Sequence, residues 1–347
     1  MNDSSSQKRR VVRGLNPKAG CLGAIVVALF FGLLGLGIGS GSSALASEAS
    51  KSSFQEVLLD GEVSAKKKIV AIPIKGMIME SMGAGPKTVS KVKKVLKTIE
   101  DDESVTGILL LLDTPGGGVT ASDRIYHNLL KFKKKHKIPI HSLFLDVSAS
   151  GGYYIAMASE HITAHPTTVT GSIGVISKFF NVRNAMDKIG ISVNVVKSLN
   201  NEGKVSFKDM GSPYRPMRDE ERALLQNLIT EMWTRFTDVV AAGRKGKLTG
   251  EEVRELADGR VFTGKQALEK KLIDAIGYTE DAYAEIRKAS KAESAKIVYY
   301  KKAPSFAQTL GLPEIVSHSV AESPIGMASD ILRSQAGFFY LWTAGGL

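Results

Sequence analysis

A serine followed by two glycines is the first feature of this sequence that could do chemistry. Ser150 precedes Gly151 and Gly152, shortly after an apolar run from Ile138 to Leu145. A serine at the junction of a strand and a helix presents its hydroxyl as a nucleophile, and the N–H group of Gly151 can stabilise an oxyanion there. The same tripeptide is also common as a helix cap or a turn, so alone it is weak evidence.

A second glycine-rich loop, Pro115 to Gly118, follows the apolar run from Val105 to Leu112. If neighbouring parallel strands hold the two loops side by side, backbone N–H groups from both can approach one substrate carbonyl. The same geometry would also cradle a phosphate or an acyl group. Together the loops indicate an anion-stabilising site beside Ser150.

The group that would activate this serine is not evident from histidine spacing. The six histidines stand in no arrangement that requires a catalytic triad; they are His127, His136, His141, His161, His165 and His318. A histidine base therefore stays open, with ordinary polar or half-buried roles as the alternative.

Uninterrupted apolar runs alternate with amphipathic stretches over residues 69–244. The pattern predicts strands at 69–74, 105–112, 138–145 and 191–196, and helices at 89–99, at 122–132, from Tyr153, and at 218–244. The buried face of the last helix is predicted to carry Leu225, Leu228, Ile229, Met232, Phe236 and Val239. Strands that are apolar throughout are typical of a sheet covered on both faces, which predicts an α/β fold of parallel βαβ units.

Composition excludes some classes of function. The chain has 347 residues, of which 43% are apolar, as in an ordered globular protein. Its formal net charge is +11, but no basic stripe interleaved with aromatic residues is present, so no nucleic-acid partner is expected. The single cysteine, Cys21, excludes an intramolecular disulfide and a cysteine-based metal site. Neither a cofactor nor a metal ion is expected.

The N-terminal region predicts a membrane anchor. Residues 21–39 carry no charge and are long enough to cross a bilayer as a helix. Basic residues precede this stretch, so the N-terminus should stay in the cytoplasm and the rest of the chain should be exported. The alternative is a cleavable signal peptide that ends near Ala46, although the apolar run is longer than a usual signal core.

Five blocks, in this order, resemble the signal peptide peptidase A (SppA) family, which is serine peptidase family S49. They are Asp113–Val119, Ala149–Ala156, Thr170–Val175, Phe207–Pro213 and Asp258–Gly264. The resemblance implies a ClpP/crotonase-like fold and cleavage of membrane-embedded peptides, including remnants of signal peptides. It also implies a ring-forming homo-oligomer on the bacterial inner membrane, with the catalytic domain on the extracytoplasmic side.

The resemblance also assigns roles to residues. Ser150 is the implied nucleophile and Lys208 the implied general base, while Gly117 and Gly151 supply oxyanion-hole N–H groups and Ser172 hydrogen-bonds the lysine amine. A lysine accepts a proton only as a neutral amine, so this role requires burial away from water. In single-domain members of the family, neighbouring protomers supply the serine and the lysine of one site.

One stretch departs from the family pattern. Several residues are inserted in the link at residues 199–207, which leaves Lys204 as an alternative base. Lys208 is preferred because the block Asp209 to Pro213 follows it directly.

The sequence therefore predicts five segments. These are a basic cytoplasmic segment at 1–20, a transmembrane helix at 21–39, a linker at 40–67, an S49 peptidase domain at 68–302 and a tail at 303–347. The apolar cluster near the end of the tail, Phe338 to Trp342, could pack on a neighbour, touch the membrane surface or enter the substrate groove. Two rival functions are a crotonase-like enzyme acting on acyl-coenzyme A and a non-catalytic membrane scaffold.

Overall fold

The computed structural model describes residues 54–81, 87–199, 203, 206–303 and 338–341. The predicted cytoplasmic segment and transmembrane helix, residues 1–39, lie outside these ranges, as do Lys204 and most of the tail. None of the helices within the described ranges combines the length and the apolar character that a membrane crossing needs.

A central, mainly parallel sheet organises the described residues. The described strands are β1 (Phe54–Asp60), β2 (Lys68–Lys75), β3 (Val105–Thr114), β4 (Gly116–Gly118), β5 (Ile140–Ala149), β6 (His161–Ala164), β7 (Val169–Gly171), β8 (Val261–Thr263), β9 (Ala275–Ile276), β10 (Lys296–Lys302) and β11 (Phe339–Leu341). All of them belong to the central sheet except β4 and β11, which form a separate two-stranded sheet. The strand order is β1-β10-β2-β3-β5-β6-β9, and β7 continues beside the end of β5. Pairing from β10 to β9 is parallel, and β1 joins the edge antiparallel to β10.

Helices cover both faces of this sheet. They are α1 (Thr88–Thr98), α2 (Val119–His136), α3 (Gly151–Ala156), α4 (Arg183–Lys188), α5 (Asp219–Gly243), α6 (Gly250–Leu256), α7 (Gly264–Glu269) and α8 (Thr279–Ala289). Alternate residues of β2 point to opposite sides, so Val70 belongs to the large cluster that includes α1 and α2, whereas Ile69 belongs to a smaller one that includes Ile286 of α8. Burial on both sides explains why the strands are apolar throughout.

The predicted α/β sheet of parallel strands is confirmed. The predicted strands at 69–74, 105–112 and 138–145 correspond to β2, β3 and β5. Part of the range predicted as a linker, residues 40–67, is a strand, because β1 (Phe54–Asp60) lies within it.

The predicted strand at 191–196 is wrong. These residues form no regular element in the structure, and several of their apolar side chains are exposed, with Val196 at 98%. Their alternating apolar pattern suits a strand, but no described strand lies beside them to complete a ladder.

The predicted long helix is confirmed as α5, but the prediction of its buried face is only partly confirmed. Leu225, Phe236 and Val239 are buried, whereas Leu228 is exposed. Packing on α3 and α6 protects chiefly the C-terminal half of the helix.

Candidate active site

Ser150 lies in a strained turn between β5 and α3. Its φ angle is 53°, in a region that residues with a side chain seldom adopt. Two hydrogen bonds hold this conformation, since its N–H donates to the Gly171 carbonyl at 2.8 Å and its carbonyl accepts from the Tyr154 N–H at 2.9 Å. Strain that is maintained in this way is common at functional sites, where it fixes the direction of a side chain.

The hydroxyl of Ser150 is buried without a hydrogen bond. The residue is 1% exposed, and its Oγ has no partner among the described residues. None of the histidines at 127, 136, 141, 161 and 165 therefore makes a hydrogen bond to this hydroxyl. An unpaired buried hydroxyl costs stability, so its presence needs an explanation, and a nucleophile that meets its partner during catalysis supplies one.

The two glycine loops lie side by side, as their order in the chain predicted. A Cβ atom on Gly151 would stand 3.2 Å from the amide nitrogen of Gly117 and 2.5 Å from the Ser122 Oγ. Gly151 is in the first turn of α3, where an N–H group has no partner within the helix. Because these glycines have no side chains, the two loops approach closely. Amide groups from both loops therefore lie next to the serine.

A single added methyl group should disrupt this arrangement at one glycine and not at its neighbour. In Gly117→Ala the Cβ atom would stand 2.1 Å from the Ile78 carbonyl oxygen, a backbone atom that cannot turn aside. We expect this variant to lose about 1–3 kcal/mol of stability and most of its activity. In the matched control Gly118→Ala the nearest atom is 3.7 Å away, so the melting temperature and turnover should stay near those of the wild type. Equal melting temperatures for the two variants would contradict the described loop packing.

Ser172 lies on the other side of the serine turn. Its N–H donates to the Arg260 carbonyl at 2.8 Å, and β7, which ends at Gly171, pairs with the end of β5. Ser172 is 7% exposed and borders a cavity of about 360 Å³ whose other lining residues include Trp233 and Leu341. The third and fifth sequence blocks therefore meet the second at this site.

Lys208 is placed differently from the other predicted site residues. Its side chain is exposed, and its amine makes no hydrogen bond or ion pair with the described part of the chain. The structure brings Ser150, Gly117, Gly151 and Ser172 together, but it shows no contact between Lys208 and any of them. The burial that a lysine base requires is therefore not provided by the described residues of one chain.

An ion-pair network that the sequence did not reveal fixes the segment carrying Lys208. Asp209 accepts from Arg215 at 2.9 Å and from Lys197 at 2.7 Å, and these bonds hold the pKa of its carboxyl well below the usual range. Arg215 also donates to Glu221, which is buried in the first turn of α5. Only Asp209 belongs to a recognised block; its partners lie 6 and 12 residues away along the chain, with no pattern that pairs them.

A short piece of the tail crosses the site as an extended strand. β11 pairs antiparallel with β4, with Tyr340 opposite Gly117. On its other side, Phe339 and Ile176 exchange two backbone hydrogen bonds of 3.0 Å. Residues 339–341 of the apolar cluster therefore lie beside the glycine loop, between β4 and Ile176.

The carbonyl of Tyr340 points into the space that the glycines leave open. A Cβ atom on Gly116 would stand 2.1 Å from the Tyr340 oxygen and 2.7 Å from the Gly151 nitrogen. A peptide carbonyl in an extended chain can therefore reach the amide groups beside Ser150. A parallel α/β fold that places a buried serine beside glycine amides and an extended strand is an arrangement that fits a serine peptidase.

Comparison with known proteins identifies the family. The model of peptidase family S49 matches residues 132–293. An Enterococcus faecium protein, provisionally named signal peptide peptidase SppA, is 36% identical over 252 residues, which cover 71% of this chain and 70% of that protein. A Synechocystis sp. protein, provisionally named a protease, is 41% identical over 221 residues, which cover 64% and 74% of the two chains. The chain belongs to the SppA family of serine peptidases, family S49, as the five blocks predicted.

A solved structure is also similar in its backbone. A membrane-bound stomatin-specific protease in complex with a substrate peptide matches with a TM-score of 0.44 at 17% identity, covering 77% of this chain and 99% of that one. Membership of a peptidase family favours hydrolysis of peptides over the acyl-coenzyme A chemistry that the glycine loops alone would allow.

Proposed function

We propose that this protein is a membrane-anchored serine endopeptidase that uses Ser150 and Lys208 as a catalytic dyad. The observation that carries the proposal is the strained, buried Ser150, whose hydroxyl has no partner among the described residues and which lies beside glycine amides and an extended strand. The arrangement has the parts that peptide hydrolysis requires: a nucleophile, oxyanion donors and a groove.

The mechanism follows from these parts. The Ser150 hydroxyl attacks the peptide carbonyl, its proton passes to the neutral amine of Lys208, and the oxyanion accepts hydrogen bonds from the Gly117 and Gly151 N–H groups. Collapse of this intermediate breaks the peptide bond, and the protonated lysine gives its proton to the leaving amine. Water then hydrolyses the acyl-serine by the same steps in reverse. Ser172 would orient the lysine amine without adding a negative charge.

Exposed apolar residues support completion of the site by a second copy of the chain. The segment that leads to Lys208 exposes many of them, including Ile189, Ile191, Val193, Val195, Val196 and Leu199. So many exposed apolar side chains in one stretch of the chain favour an interaction site. A neighbouring protomer that covered it would shield the segment from water and could also bring its lysine to the serine of the next chain, as in a ring.

The substrate class follows from the anchor. An enzyme held in the membrane by residues 21–39 meets peptides that remain there, so we propose membrane-embedded peptides such as cleaved signal peptides as substrates. The catalytic part would then lie on the extracytoplasmic side of the inner membrane.

Complementation between two inactive variants tests both the dyad and its sharing. Ser150→Ala and Lys208→Ala should each be inactive alone, while the co-expressed and co-purified mixture should recover about one quarter of wild-type peptide cleavage if protomers mix at random. The measurement is cleavage of a fluorogenic peptide in detergent. The control mixes the Ser150→Ala chain with a Ser150→Ala/Lys208→Ala chain, which contains no intact serine and should stay inactive. An inactive test mixture that co-assembles would show that the two residues do not act across chains.

A further inference from the structure

Two neighbouring helices on one side of the sheet expose a strongly cationic surface. α1 and α2 pack beside each other over the larger core cluster. Their exposed cations form a surface that we call the basic face, which consists of Lys91, Lys94, Lys97, Arg124, Lys131 and Lys134. α1 contains no acidic residue, and the acidic residue of α2, Asp123, is already paired with Arg235 at 3.0 Å. The positive charge of this face is therefore not neutralised within the two helices.

The topology of the sheet joins the cations of both helices into one surface. α1 connects the parallel strands β2 and β3, and α2 leads on to β5, so the two helices run in the same direction. Their C-terminal ends meet, because Lys135 in α2 pairs with Glu100, just after α1, at 2.6 Å. The pKa of Glu100 is lowered chiefly by Lys135 and to a smaller degree by Lys131, which places Lys131 of the basic face near the end of α1.

The cations of the basic face have no partners in the described part of the chain. None of their side chains makes an ion pair or a hydrogen bond there. The acidic residues at the border are engaged elsewhere, since Glu80 accepts the Ser90 N–H at 3.0 Å and Glu100 accepts from Lys135. Several of the cations lie three residues apart on one helix, where like charges repel. An anionic partner would relieve this repulsion.

We propose that the basic face docks on the anionic surface of a lipid bilayer. The inference goes beyond the proposed peptidase activity and does not depend on turnover. Charge complementarity carries it, because each lysine or arginine close to an anionic membrane raises the binding constant about fivefold. Two helices side by side also spread their cations over a broad surface, which suits a planar array of headgroups.

The same face does not suit two other partners. The aromatic residues of α2, Tyr126 and Phe132, are buried in the core, so no aromatic side chain of these helices is exposed for a base to stack on. A second copy of the chain that presented the same face would be repelled by it.

Protection of lysines from chemical labelling tests the proposal. The full-length protein is assembled into nanodiscs of phosphatidylglycerol with phosphatidylcholine, or of phosphatidylcholine alone, and isolated by size exclusion. Reductive methylation, which keeps the charge of lysine, is then followed by mass spectrometry. We expect Lys94 and Lys131 to be methylated about threefold or more slowly in the anionic nanodiscs. In about 1 M NaCl, where screening extends over only about 3 Å, this difference should vanish.

Lys288 is the internal control. It is exposed on α8, which packs on the smaller core cluster on the opposite side of the sheet. Its rate of methylation should be the same in both kinds of nanodisc.

A pair of charge-matched variants separates the basic face from net charge. Lys94→Glu/Lys131→Glu should weaken the contact by at least about 25-fold, so that Lys97 is methylated equally fast in both kinds of nanodisc. Lys265→Glu/Lys288→Glu changes the net charge by the same amount outside the basic face and should leave Lys97 protected in the anionic nanodiscs. Equal protection of Lys97 in the two variants would overturn the assignment of the contact to this face.

The remaining outcomes also decide the question. Equal protection in anionic and neutral nanodiscs would mean that another protein surface covers the face, and no protection in either would mean that nothing does; both results overturn the proposal. So would failure of the protein to co-elute with anionic nanodiscs. Protection by an added DNA duplex but not by anionic lipid would reassign the face to nucleic acid. Peptide cleavage is measured in the same samples, and cleavage without protection would overturn the lipid contact while keeping the peptidase function.

Discussion

Ser150→Ala is expected to reduce kcat/KM for peptide cleavage by at least a thousandfold without reducing the stability of the fold. Removal of a nucleophile abolishes the covalent step, and losses of this size or larger are usual. The Ser150 hydroxyl has no hydrogen bond among the described residues, so its loss leaves no partner unsatisfied there. The backbone strain at this position stays, because alanine also has a side chain. The melting temperature should therefore be equal to that of the wild type or slightly higher.

A neighbouring serine on the same strand is the matched control. The Ser148 hydroxyl is buried like that of Ser150, but it donates to the Leu112 carbonyl at 2.7 Å and joins β5 to β3. Ser148→Ala should thus lose about 1 kcal/mol of stability and keep most of its activity, the opposite of the result at Ser150. Turnover and thermal unfolding of the two variants check both effects. A Ser150→Ala enzyme that still turned over peptide at the wild-type rate would show that another residue is the nucleophile.

The sheet could be predicted because the residue pattern of its strands reflects their burial. Val105 to Leu112 and Ile138 to Leu145 are apolar at nearly every position, and only burial on both faces accounts for such a pattern. The glycine loops follow directly from those strands, so parallel pairing brought them together in the structure as expected. At these positions the local sequence and the tertiary environment agree.

Other parts could not be read from local sequence, because they depend on residues far away in the chain. The segment at 191–196 has the alternation of a strand, yet a strand also needs a neighbour, and the described residues provide none. β1 has no strong apolar run of its own and is ordered by its pairing with β10, whose residues come about 240 positions later. In the site, nothing near Tyr340 indicates that its ring stacks on Tyr154.

For the general base, sequence and structure together give a definite prediction that can be tested. Lys208 is exposed in the single chain, while Asp209 beside it is tied to Lys197 and Arg215. The network therefore fixes the backbone that carries Lys208 and leaves its amine free to meet a group outside the described part of this chain.

Lys208→Met should reduce kcat by about 10²- to 10⁴-fold, the usual contribution of a general base. Methionine keeps much of the length of lysine and removes the amine. Because the side chain is exposed, the stability of the chain should change by no more than about 0.5 kcal/mol. Steady-state cleavage of a fluorogenic peptide and thermal unfolding measure the two quantities.

Lys204→Met is the control, since the insertion at 199–207 left both lysines as candidates. It should keep activity near that of the wild type. The reverse outcome, with Lys204→Met inactive and Lys208→Met active, would identify Lys204 as the general base. The mechanism would then still use a lysine. If both variants and their double mutant cleaved peptide normally, no lysine of this segment would take the serine proton. The unpaired hydroxyl of Ser150 would then need a different base, and the described histidines offer none in hydrogen-bonding contact with it.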